Sequence, residues 1–179
     1  RISYIGSVRQ FNELKLLMDS GLNIDGLKIQ IHGSGSVFEK LTGIVGNYNN
    51  VVITGQFNYK DTKYLYEETD LLYVIYDKSI ENQKYGIPIK GYEAIYTQTP
   101  VIAQAGTEFA DFVKKHDIGF VIKGEKIDEL QNLILEVMAN RSLLKTKVNN
   151  IRKIQHLYVW ENQAEKLKLF YQKLGCKNK

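Results

Sequence analysis

The segment Gly86-Ile87-Pro88-Ile89-Lys90-Gly91-Tyr92-Glu93-Ala94 gathers residue types that can hold a phosphate and a sugar hydroxyl. Pro88 suits the first position of a helix, where its missing N–H would be unpaired anyway. A helix starting there offers free N–H groups and a positive dipole end to an anion. Lys90 adds a cation in the first turn, and Glu93, three residues on, can share its face. A cation for phosphate and a carboxylate for hydroxyls suit a nucleotide. The alternative is an ordinary Lys–Glu pair on a helix.

Two glycine turns are the next candidates. Gly6-Ser7-Val8-Arg9 closes an apolar run. A glycine there lets the backbone turn sharply or approach a ligand, and Arg9 can fork onto phosphate oxygens. Arg9 is otherwise a surface arginine beside a turn. Gly33-Ser34-Gly35 follows a second run. A dinucleotide fingerprint needs a third glycine two spacers on, at the first strand–helix turn. That position holds Phe38, and the turn follows the second strand, so a dinucleotide-binding enzyme is rejected. Gly33 and Gly35 then make a tight turn near a ligand or a purely structural one. Thr107 reads as a helix N-cap, and Glu108 beside it either lies idle or reaches a ligand.

These residues need a scaffold that brings strand ends together. Apolar runs at Ile2–Ile5, Leu27–Ile31, Val51–Thr54, Leu71–Tyr76, Val101–Ala103 and Phe120–Ile122 read as six strands. Helical spacing falls between them at Phe11–Met18, Val37–Val45, Asp61–Glu67, Pro88–Tyr96 and Glu108–Lys115, and two or three helices finish the chain. Strands alternating with helices imply right-handed crossovers and a mostly parallel sheet covered on both faces. The expectation is a Rossmann-like, doubly wound α/β domain. Ligands of such sheets lie outside the carboxyl ends of the strands, at a topological switch. The chain is read as one domain, with residues 1–155 forming its body and 156–179 a closing helix and polar tail.

Composition agrees. The 179 residues are 44% hydrophobic and 25% charged, which is ordinary for a globular chain. No apolar run approaches the length of a membrane span. One cysteine, Cys176, rules out an internal disulfide or a cysteine-cluster metal site and points mildly to the cytoplasm. The chain opens inside an apolar run, so a preceding segment is expected. From Arg141 to Lys179 there are ten Lys/Arg against two Glu, +8; the rest carries 14 against 18 acidic residues, −4, which together give the net +4. That basic end is a solvated helical face or is drawn to an anionic membrane. Nucleic acid is not expected, because no recognition motif accompanies the charge. Leu157, Trp160, Ala164, Leu167 and Tyr171 form one apolar stripe.

The order and spacing of several segments resemble a family. Pro88-x-Lys90-x-x-Glu93-Ala94, Thr99-Pro100-Val101-Ile102-Ala103 and Gly119-Phe120-Val121 are similar to the carboxyl-terminal domain of GT-B glycosyltransferases of family 4. Tyr4-Ile5-Gly6, Ile31-His32-Gly33-Ser34-Gly35, Val51-Val52-Ile53-Thr54-Gly55, Trp160-Glu161 and Phe170-Tyr171 extend the likeness over nearly the whole chain. The resemblance implies one domain of a two-domain enzyme. It would bind a nucleotide-sugar donor, UDP- or GDP-linked, with no cofactor and no required metal. An amino-terminal domain would supply the glycan or lipid-linked acceptor, in bacterial surface polysaccharide synthesis, in the cytoplasm or at the inner face of the membrane. By position Glu93 would bind the ribose, Lys90 and Arg9 would face the diphosphate, and the backbone near Gly55 and Gln56 would lie by the base. Catalytic residues are not assigned. The family's first glutamate, separated from the second by seven intervening residues in the common pattern, falls at Tyr85 and is absent. A degenerate, non-catalytic nucleotide- or sugar-binding module is the alternative.

Overall fold

The computed structural model describes residues 1–175. Cys176 lies outside them. Six strands form one sheet: β1 (Ile2–Ile5), β2 (Ile29–His32), β3 (Val51–Gly55), β4 (Leu71–Val74), β5 (Val101–Gln104) and β6 (Gly119–Ile122). The spatial order is β3-β2-β1-β4-β5-β6, and every pairing is parallel. Between β1 and β2 the chain winds one way, and from β1 to β4 it turns back. That reversal, between β1 and β4, is the topological switch.

Helices α1 (Phe11–Ser20), α2 (Phe38–Thr42) and α7 (Ile127–Ala139) cover one face. Helices α3 (Thr62–Glu67), α5 (Ile89–Thr97), α6 (Glu108–His116) and α8 (Ser142–Gln155) cover the other. The two-residue strand period decides which side chain goes where. Ile2, Tyr4, Leu71 and Tyr73 join Leu14, Leu17, Leu130 and Ile134 in one core. Ile5, Leu72 and Val74 join Ala94, Phe109, Val113 and Ile151 in the other. Burial on both faces explains why these strands read as continuous apolar runs rather than alternating ones.

Three expectations are corrected. The helix expected over Val37–Val45 breaks at Gly43: α2 ends at Thr42, and a 3₁₀ turn follows at Val45–Asn47. The strand expected over Leu71–Tyr76 ends at Val74, which releases Tyr76 from the sheet. Pro88 is the N-cap of α5, not its first helical residue. It sits extended at ψ 148°, and its carbonyl accepts the Gly91 N–H at 2.8 Å. A short helix that the pattern did not show, α4 (Glu81–Tyr85), lies in the loop before α5. Its sequence, Glu-Asn-Gln-Lys-Tyr, has no apolar face to reveal it.

Candidate functional site

Two crevice-lining loops leave β1 and β4 in opposite senses, and α5 begins above the gap. Gly6 ends β1 with φ +136°, a conformation that side chains rarely adopt. It is also close-fitted: a Cβ there would lie 3.3 Å from the Lys90 Nζ. Lys90 is 9% exposed, and its Nζ has no hydrogen-bond partner. The amine instead stands 3.7 Å from the centre of the Tyr4 ring and 5.2 Å from that of Tyr76. Tyr4 comes from β1 and Tyr76 from the loop after β4, so Lys90 bridges the switch. Its own helix puts it there, in the first turn of α5.

Burial pushes the Lys90 amine far down, from 10.5 to about 7, with the Glu93 charge partly opposing that fall. Burial likewise raises Tyr4 to about 12, against the opposing charge of Arg9. Arg9 itself is exposed, yet its charge reaches the Tyr4 hydroxyl. The crevice therefore holds one unpaired amine, with a guanidinium at its rim.

Glu93 is half-buried one turn along α5. Its Oε2 accepts a 2.9 Å hydrogen bond from the Tyr66 hydroxyl of α3. Burial and the Glu93 charge both raise the Tyr66 hydroxyl, so it stays protonated and donating. The carboxylate lies in a groove of about 490 Å³ that Tyr59, Tyr66, Tyr92 and Tyr96 also line. A buried hydroxyl in that groove, Thr62 Oγ1, has no partner. A smaller hollow of about 110 Å³ lies between Tyr76, Pro88, Gln104 and Thr107. Thr107 caps α6, its hydroxyl accepting the Ala110 N–H at 3.1 Å, as its type predicts. Glu108 is exposed at the start of that helix.

Gly33 and Gly35 sit where backbone meets backbone. A Cβ on Gly33, at φ +134°, would fall 1.8 Å from the Gly6 carbonyl oxygen, and one on Gly35 would fall 2.3 Å from that of Val8. The loops after β1 and β2 thus touch backbone to backbone, with Val8 N–H donating to the Ser34 carbonyl at 3.0 Å. Gly55 closes β3 at φ +78° and accepts the Gly33 N–H at 2.8 Å. Gln56 follows it, exposed, at the end of an edge strand two places from β1. His32 lies buried behind this turn with Nδ1 2.9 Å from the Thr54 hydroxyl, and burial lowers its pKa. The structure therefore brings Gly6 and Tyr4 against Lys90, with Arg9 nearby, while Pro88 lines the neighbouring hollow, Glu93 lines the groove one turn along α5, and Gly33, Gly35, Gly55 and Gln56 lie at the ends of β2 and β3. Tyr4, Tyr66 and Tyr76 carry no signal of that placement in the sequence: Tyr4 and Tyr76 stand in runs that read as buried strand, and Tyr66 stands in a short polar helical stretch. Among the described residues, no cluster of three or more His, Cys, Asp or Glu could hold a metal ion.

The sequence model of one family, described as Glycosyl transferases group 1, matches residues 8–154. This chain belongs to that family. No curated protein matches it. Among solved structures, sucrose-phosphate synthase from Thermosynechococcus elongatus superimposes with a TM-score of 0.78 at 21% identity, over 97% of this chain and 45% of that one. A mutant of TarM from S. aureus, in complex with fondaparinux, alpha-GlcNAc-glycerol and UDP, gives 0.73 at 22% identity, over 94% and 35%. The C-terminal domain of a group 1 glycosyl transferase, LpcC, from Francisella tularensis gives 0.70 at 13% identity, over 89% and 86%. The group 1 fold is thus shared, and this chain spans less than half the length of the first two.

Proposed function

We propose that this chain binds the nucleotide-sugar donor of a group 1 glycosyltransferase of the family 4 kind, with the diphosphate at Lys90 and the ribose at Glu93. The observation that carries this reading is the Lys90 amine, buried and unpartnered at the topological switch beneath the start of α5. A buried polar group without a partner is costly, and an anion there would supply one. Arg9 lies at the rim to reach the same phosphates. The backbone at Gly55 and Gln56 would flank the base, with Gly6, Gly33 and Gly35 keeping the loops low enough for the ligand to approach.

The donor is UDP- or GDP-linked and the acceptor a glycan or lipid-linked saccharide, held by a second domain, in surface polysaccharide synthesis at the cytoplasmic side. Closing such a cleft excludes water, so the 179-residue chain alone should transfer no sugar. A second reading, a binding module without turnover, is favoured by Tyr85: an exposed tyrosine on α4 stands where the family pattern has its first glutamate.

The basic carboxyl-terminal region fits membrane attraction less well than its charge count suggests. Lys147 pairs with Asp117, Arg141 with Asp70 at 2.9 Å, and Arg152 Nε donates to Gln98 at 2.7 Å. No helix among the described residues is long and apolar enough to cross a membrane.

Calorimetric titration of the chain with UDP, GDP and NAD tests the reading. Half a cleft offers few contacts, so a nucleoside diphosphate should bind at roughly 0.1–1 mM, or about 4–5.5 kcal/mol, and NAD more weakly. Lys90→Met should abolish that binding. Equal affinity for NAD, or unchanged UDP binding in Lys90→Met, contradicts the assignment.

A further inference from the structure

Placing a lysine amine at the diphosphate does not explain why two tyrosine rings enclose it. An amine meant only to meet phosphate is best left hydrated and charged. Lys90 is instead sealed by the Tyr4 ring at 3.7 Å, the Tyr76 ring at 5.2 Å and the Gly6 backbone. The Tyr4 ring is tied down, its hydroxyl donating to the Ser7 carbonyl at 2.5 Å, while the half-buried Tyr76 borders the hollow beside Pro88.

We propose that Tyr4 and Tyr76 are positioning residues for Lys90, holding its amine dry and partly uncharged in the unliganded chain, so that binding of the diphosphate is coupled to uptake of a proton from solvent. The inference rests on the reading of Lys90 as a diphosphate ligand. Aromatic faces attract an ammonium ion within about 6 Å, and more strongly when water is excluded. They therefore hold the cation without hydrating it, while burial favours the neutral amine.

The groups around the amine are few. β1 supplies Tyr4, whose hydroxyl feels Arg9 and, from α1, Glu13. The loop after β4 supplies Tyr76, which burial, Tyr4 and Glu93 all keep protonated. On α5 itself Glu93 favours the charged amine, but Tyr66 of α3 engages that carboxylate. From α6, Phe109 packs against Gly91 and adds no charge. The amine at about 7 is thus the group in the crevice poised to change charge near neutrality. The incoming phosphate oxygens would shift it toward the ammonium, with the proton drawn from solvent.

The test is titration of the chain with UDP at about pH 8, above the phosphate's own pKa of about 6. Repeating it in buffers of different ionisation enthalpy reads proton uptake directly. The expected result is between about half a proton and one proton per UDP bound, with affinity rising as pH falls toward 7. Tyr76→Leu should bind UDP about tenfold more weakly and move the pH midpoint of binding down, because the charged amine loses a ring. Tyr76→Phe, which keeps the ring, should stay within about twofold and keep the midpoint.

A ring with only a structural role would change thermal stability in Tyr76→Leu and leave the midpoint alone. Zero proton uptake by a chain that does bind UDP overturns the proposal while leaving the donor reading intact. Absence of UDP binding removes both.

Discussion

The Nζ of Lys90 stands 3.7 Å from the centre of the Tyr4 ring, joining the start of α5 to the end of β1 across the one place where the sheet changes direction. An amine so placed costs stability when it is charged and has no anion to meet.

Lys90→Met should therefore stabilise the unliganded chain. The native amine titrates near 7 and the unfolded one near 10.5. Below about 7 both states carry the proton and the burial cost is felt in full. As pH rises from about 7 to 10.5 the unfolded state binds more protons, and the native protein gains stability. The substitution should raise stability by about 1–3 kcal/mol at pH 6, with the gain vanishing toward pH 10. Chemical denaturation at several pH values measures it. A pH-independent difference would show that Lys90 is hydrated in solution.

Glu93 and Tyr66 should act together. Glu93→Gln keeps an acceptor for the Tyr66 hydroxyl but removes the charge, and should weaken UDP binding by about 1–2 kcal/mol, the size of hydrogen bonds to a charged group. Tyr66→Phe frees the carboxylate and should cost the fold rather than the ligand. A double-mutant cycle in titration and denaturation separates the two. UDP affinity unchanged in Glu93→Gln removes Glu93 from the site.

Gly33→Ala should destabilise the chain by about 3 kcal/mol or more, combining a strained φ with overpacking. Its Cβ meets the Gly6 carbonyl oxygen at 1.8 Å, and backbone cannot swing aside as a side chain can. Gly46, where a Cβ would meet nothing within 4 Å and φ is not positive, is the control. Gly46→Ala should be neutral or stabilising by up to about 1 kcal/mol. Equal effects at the two positions would contradict the backbone contact between the β1 and β2 loops.

The last described helix, α9 (Trp160–Lys173), buries no residue, and Trp160, Leu167, Phe170 and Tyr171 stay exposed. Truncation after Val159 should thus leave stability within about 0.5 kcal/mol. Tyr158 behaves differently. Its ring meets Phe112 edge-on at 5.4 Å and Tyr92 at 6.1 Å, so Tyr158→Ala should cost about 2–3 kcal/mol. Thermal unfolding of both variants decides. A large loss on truncation would place α9 in the core.

What could be read in the sequence was set by local rules. The strands at Ile2–Ile5 and Val101–Ala103 were legible because burial on both faces makes them uniformly apolar. Pro88, Lys90 and Glu93 were legible because a helix start and a three-residue spacing are short-range features. The Thr107 cap was too. What was not legible depends on distant partners. Tyr4 is one residue of an apolar run until Lys90 arrives over its ring. Nothing local to Gly33 reveals that a Cβ there would meet the Gly6 carbonyl. The positive count after Arg141 suggested a free basic face, but Asp70, Gln98 and Asp117 take up Arg141, Arg152 and Lys147 from other elements.

The central claim is that a nucleoside diphosphate lies at the β1/β4 crevice, and a crystal structure of the chain with UDP tests it most directly. The account predicts phosphate oxygens within hydrogen-bond distance of the Lys90 Nζ, at about 2.7–2.9 Å, and ribose hydroxyls on the Glu93 carboxylate. UDP seated instead among Arg141, Lys145 and Arg152, in the groove that Asp70 and Pro100 line at the opposite edge of the sheet, would contradict it.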